Sequence, residues 1–103
     1  MKSLTFAEIR TMVADIRKKA GSPRIRLFGW NSVTAMWPKL KKDDYGCHLF
    51  KDIIAINPKQ SKRAAMNTIW HEIGHVLYPK KPHKWINDYA EKMSGFNYQG
   101  RKP

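Results

Sequence analysis

The sequence predicts an α+β domain: an N-terminal helix, a small and mostly antiparallel sheet, a long helix carrying His71-Glu72-Ile73-Gly74-His75, and a C-terminal helix. Three observations predict it. Apolar residues recur at helical spacing near the N-terminus and again around residues 65–77. Between those stretches lie short alternating or continuous apolar runs of strand length. Gly and Pro punctuate the boundaries, at Gly21, Pro23, Pro58, Pro79, Pro82 and Gly95. At 103 residues the chain is expected to be one domain, 1–103, with 96–103 an irregular tail.

Thr5 and Glu8 form a capping box for the first helix, whose stripe is Phe6, Ile9, Met12, Val13 and Ile16. Gly21-Ser22-Pro23 stops that helix at about Ala20. Arg24 to Trp30 alternates basic with apolar and reads as a strand with one wet face. Val33 to Trp37 reads as a short edge strand ended by Pro38, in a stretch of mixed signals. Residues Lys41 to Gly46 form a polar turn. Cys47 to Phe50 and Ile53 to Ile56 follow as two strands or one bent strand, closed by Asn57-Pro58. Ser61 is the expected N-cap of the long helix, with Ala65, Ile69, Ile73, Val76 and Leu77 buried. Pro79 sets its stop after Tyr78. The last helix runs from about His83 to Ser94, and Gly95 ends it.

An apolar fraction of 42%, with 12% aromatic residues, argues for a folded globule and not a disordered tail. A single cysteine, Cys47, allows no internal disulfide and points to a reducing compartment. The N-terminal residues lack the apolar stretch of a secretion signal, and no apolar run approaches the ~18 residues of a membrane span. A cytoplasmic setting with no membrane partner is expected. The formal charge of +12 is carried in clusters: Arg17-Lys18-Lys19, Arg24 with Arg26, Lys39-Lys41-Lys42, Lys62-Arg63, Lys80-Lys81-Lys84 and Arg101-Lys102. Such a surface favours polyanions, so non-specific DNA or RNA is an expected partner; a solvated basic face is the simpler alternative.

His71-Glu72-Ile73-Gly74-His75 carries the chemistry. Residues four apart share a helix face, so the His71 and His75 imidazoles can close on one metal ion. Glu72 is one step along, where its carboxylate can serve a metal-bound water as general base without binding the metal. Zn2+ is the expected cofactor, and metal-assisted hydrolysis the expected reaction. Gly74, inside a helix, costs roughly 1 kcal/mol relative to Ala and suggests close approach by a strand or by the next helix.

The segment from Asn67 to Leu77 resembles the active-site helix of the zincin metallopeptidases in a minimal form. The helix-strands-helix-helix order is similar to SprT-like and ImmA-like domains, linked with DNA-protein crosslink proteolysis and with repressor cleavage respectively. The resemblance covers about Arg24 to Gly95 and implies a zinc metallopeptidase acting on a protein or peptide. Small proteins of this kind are often phage-encoded, which extends the setting to a host cytoplasm or a virion. It further implies that Ile53–Ile56 is the sheet edge along which substrate lies. SprT-like proteins place a third histidine at the start of the next helix, with an aromatic following within a turn. His83 stands there, but Trp85 follows two residues early. ImmA-like patterns take a glutamate from that helix, where this chain has Asn87-Asp88, with Glu91 one turn further on.

His83 is the first choice of third ligand, ahead of Asp88 and then Glu91. Tyr89 or Tyr98 is a candidate oxyanion donor, although a core or surface tyrosine is the simpler reading of either. His48 is read as structural, and Trp30, Trp37, Trp70 and Trp85 as core or groove-lining aromatics. The alternative function is a non-enzymatic nucleic-acid or nucleoprotein-binding module with a structural or decayed metal site. The intact Glu72 argues against it. Oligomeric state is not legible in the sequence.

Overall fold

The computed structural model describes residues 3–37 and 44–96. Its order is α1 (Phe6–Lys19), β1 (Arg26–Phe28), α2 (Trp30–Met36), β2 (Gly46–His48), β3 (Ile53–Ile56), α3 (Lys62–Leu77) and α4 (His83–Ser94). The predicted α+β class holds. The capping box on α1 is present, with Thr5 N donating to Glu8 Oε1 at 3.0 Å and Glu8 N donating to Thr5 Oγ1 at 3.1 Å. Ala20 caps its C-terminus, and the chain then turns through Gly21 and Ser22, both at positive φ. The Arg17 guanidinium ties that turn down by donating to the carbonyls of Pro23 and Ser22.

The expected edge strand Val33–Trp37 is instead the second half of α2, followed by Trp37 as its C-cap. Trp30 and Val33, three apart, bury one face of this short helix, and Thr34 Oγ1 donates back to Trp30 O at 3.0 Å. The helix ends at Trp37, because the residue before a proline is pushed from the α region toward extended backbone. The helix changes the sheet. Strand order is β1-β3-β2, with β1 parallel to β3 and β2 antiparallel to it. A parallel pair needs a crossover, and the chain between β1 and β3 includes α2 and β2; β2 reaches β3 through a short loop and so pairs antiparallel. The sheet is therefore mixed, with one pairing of each kind.

The expected position of Ile53–Ile56 at a sheet edge is also corrected, because β3 is the central strand. Ile54 and Ile56 join the main core with Ile9, Val13, Ile16, Ile69, Trp70, Ile73 and Ala90, while Ala55 packs on the other face with Trp30 and Val33. Burial of a strand on both faces is what a continuous apolar run encodes. The available edges are β1 and β2.

A buried polar knot holds β2 against α3. Gln60 Nε2 donates to the carbonyls of Tyr45 and Asn57, Asn57 Nδ2 donates to Asp44 O, and Thr68 Oγ1 donates to Gln60 Oε1. At Gly46 the approach is so close that an added Cβ would lie 2.7 Å from Thr68 Cγ2 and 3.0 Å from Ala55 O. Overpacking of this kind costs about 1–3 kcal/mol. Gly46→Ala should therefore lower the melting temperature, and Thr68→Ser in the same chain should return part of the loss, because it removes Cγ2 and keeps the hydroxyl. Thermal unfolding of the two single variants and the double variant checks the coupling.

Asp52 clamps the sheet's other end, accepting from Arg26 Nε and Nη2 and pairing with Arg24. The Arg26 hydrogen bonds hold its carboxyl below the ordinary carboxylate value, with the Arg26 and Arg24 charges adding to the effect. A depressed folded value makes the contribution complete above the unfolded value of about 3.9 and lost as pH falls through the folded one. Asp52→Asn should accordingly destabilise the domain at neutral pH and cost progressively less below about pH 4. Denaturant titrations of both proteins across that range measure it.

Candidate metal centre

α3 begins at Ser61, whose Oγ accepts from Ala64 N at 3.1 Å, and from Ala64 to Gly74 it is buried at all but Met66. Its core face leaves His71 and His75 one turn apart beneath β2. α4 returns along α3 and crosses closely at Gly74, where an added Cβ would meet Tyr89 Cδ2 at 3.1 Å and Ile86 Cγ2 at 3.3 Å. Of the two approaches the sequence allows for at Gly74, it is the next helix that comes close. That crossing brings the first residue of α4, His83, to the pair on α3.

The three imidazoles form a near-equilateral triangle, with ring centroids 4.7, 4.9 and 4.8 Å apart for His71–His75, His71–His83 and His75–His83. One potential ligand atom from each lies within 4.8 Å of the others, so the group could hold a metal ion. Asp88 and Glu91 are exposed on α4 and are not part of this group. Burial decreases from His71 to His75 to His83, so the cluster spans from interior to surface.

The donor set fits a metal on an observation independent of spacing. His71 is 3% exposed, and its Nε2 is buried with no hydrogen-bond partner. Its Nδ1 lies 3.2 Å from Glu72 Oε2, so the imidazole proton belongs on Nδ1, where it donates to the carboxylate. The Nε2 lone pair is then left unpaired in the interior. A buried acceptor without a partner costs about 1–3 kcal/mol, a penalty a coordinated cation removes. His75 is held neutral: burial lowers its pKa to about 4, and the neighbouring His71, His83 and His48 push the same way against Glu72. Neutral imidazole is the form that ligates.

Glu72 is 4% exposed and lies outside the ligand group. Burial, with Glu72 next in effect, pushes the Cys47 thiol up to about 12, which keeps the sulfur protonated and excludes it as a nucleophile. His48, expected to be structural, lies beside the cluster without joining the ligand group. Its ring is parallel to that of His75, with centroids 6.3 Å apart, and its Nε2 is 3.1 Å from Lys51 O. Gly46 and His48 share one face of β2, so the strand that lies on Thr68 also faces the next turns of α3. Only the sheet register could have revealed this. Tyr89 packs on Gly74 and contacts the rings of Trp70, Tyr78 and Trp85, which is a packing role; Tyr98 lies outside the described residues. Trp30 and Trp70 are core, whereas Trp37 and Trp85 are exposed. The clusters at 39–42 and 101–102 also lie outside the described residues.

In comparisons with known proteins, no family model, no curated protein and no solved structure matches this chain.

Zinc should raise the melting temperature, by about 2.7 kcal/mol of stabilisation at a free concentration one hundred times the dissociation constant. His83→Ala should weaken zinc binding strongly and Asp88→Ala little. Competition with a chromophoric chelator compares the two variants.

Proposed function

We propose that the chain is a zinc-dependent metallopeptidase of the minimal zincin type. The observation that carries the reading is the convergence of His71, His75 and His83 within 4.8 Å, next to the buried carboxylate of Glu72. A zinc ion held by these three imidazoles would supply an acidified water and a Lewis-acid contact for a carbonyl oxygen.

Glu72 moves the protons. Its carboxylate takes one proton from water as the oxygen attacks a peptide carbonyl carbon, and delivers it to the amine nitrogen as the C–N bond breaks. Burial suits this work, since a carboxylate shielded from bulk water exchanges its proton with the reacting groups. His71 orients Glu72 through Nδ1, and the tautomer which that bond selects would keep Nε2 available as a metal ligand. β2 supplies the substrate track. It pairs only with β3 among the described residues, it packs on α3, and its free edge suits an extended peptide added as a further strand.

Three protein ligands favour this reading over a structural site, which typically closes with four. Glu72→Gln tests it. The amide cannot accept the proton but nearly preserves shape, so peptide hydrolysis should fall by about 10²–10⁴-fold with zinc content retained. Cleavage of a casein or peptide-library substrate at the wild-type rate by that variant would overturn the mechanism.

A further inference from the structure

The turn from α3 to α4 joins two features that the metal chemistry does not use. Tyr78 and Trp85 are 39% and 37% exposed, with ring centroids 5.0 Å apart. Tyr89 backs them, stacked on Trp85 at 5.6 Å with an interplanar angle of 8° and set at a steep angle to Tyr78. The aromatic pair is therefore held by the fold at a surface where most proteins place polar side chains. Around it stand Lys80, Lys81 and Lys84, all exposed, and the sequence has no acidic residue between Ile73 and Asn87. The first acid beyond the turn is Asp88, exposed on α4.

Lys81 Nζ lies 5.1 Å from the Trp85 ring centroid, on a side chain long and flexible enough to swing away. We propose that this turn is a stacking platform for single-stranded nucleic acid, in which unpaired bases stack on Trp85 and Tyr78 while Lys80, Lys81 and Lys84 meet the phosphates. A base arriving on Trp85 displaces the Lys81 ammonium, which then finds an adjacent phosphate of the same strand. The lysines alone would bind any polyanion. The rings add strandedness, because an unpaired base exposes its π-face and a paired one hides it. Among the described residues, the other basic clusters are Arg17-Lys18-Lys19, Arg24 with Arg26 (both paired to Asp52) and Lys62-Arg63, and none of them stands beside two exposed rings in contact with each other.

The surface is independent of the proposed hydrolysis, and its test leaves that reading untouched. Fluorescence anisotropy of the protein as purified compares a labelled oligo-dT with a duplex of equal length over a range of salt concentrations. The single strand should bind about tenfold tighter at equal salt, and Trp85→Ala or Tyr78→Ala should each weaken it about fivefold or more. Trp85→Phe should recover most of the loss. Replacing Lys80, Lys81 and Lys84 with Gln should lower the slope of log affinity against log salt by about 2, at roughly 0.7 for each phosphate no longer neutralised. Equal affinity for duplex and single strand by wild-type protein would overturn the proposal whether or not the variants fold. So would displacement of the oligonucleotide by polyglutamate of equal charge at equal concentration, which would assign the turn to an acidic protein.

Discussion

The contact on which the site depends is the crossing of α4 over α3 at Gly74. A methyl group there would press on Tyr89 and Ile86 at 3.1 and 3.3 Å, so these two α4 side chains seat directly against the α3 backbone at that point. A glycine inside a helix gives up about 1 kcal/mol of propensity, and closeness is what it obtains in return. Ile86 is fully buried by that contact, and His83 lies three residues, one turn, before it. The distance of His83 from His71 and His75 is thus set in part by how the Tyr89 and Ile86 side chains pack on the α3 backbone. A larger residue at 74 would move α4 as a body and open the triangle while leaving all three imidazoles in the chain.

A second constraint is electrostatic. Burying a carboxylate is costly unless it is hydrogen-bonded, and Glu72 is buried with an imidazole Nδ1 as its partner. The same bond leaves His71 Nε2 unpaired, so satisfying the acid creates an orphan acceptor on the base. A cation held among the three imidazoles would relieve that cost. The neutral Cys47 and His75 beside it follow from the same low polarity.

What can be read in advance divides along the line between local and non-local physics. The capping box of Thr5 and Glu8, the Ser61 cap, the stop after Tyr78, the left-handed Gly95 and the run Ile53–Ile56 are all decided within a few residues, and the sequence displays them. The α2 helix is not legible, because seven residues with only Trp30 and Val33 buried give too few apolar positions to separate a helical from a strand period. The central place of β3 is equally hidden, because parallel pairing joins residues with no local signal of partnership, such as Leu27 and Ile54. In the site, the His71–His75 spacing is local geometry and legible. The arrival of His83 and of His48 is tertiary: one depends on a helix crossing, the other on the register Gly46↔Ile56 and His48↔Ile54.

The charge distribution completes the physical picture. Twenty Lys and Arg residues face eight Asp and Glu residues, and several of the acids are engaged in local contacts. Glu8 caps α1, Asp15 pairs with Lys19, Asp52 is shared by Arg24 and Arg26, and Glu72 belongs to the histidine cluster. Even the pair most exposed of these, Asp15 with Lys19, is worth little in water. The acids therefore solve local structural problems and leave the net charge on the surface, where it repels itself and destabilises the compact state. A small domain gains by placing an anion against such a surface, since charge repulsion is relieved and condensed counterions are released in one event. The stability of this fold is thus expected to rise with any polyanion that binds only its native state, and more steeply at low salt, where the unrelieved repulsion is greatest.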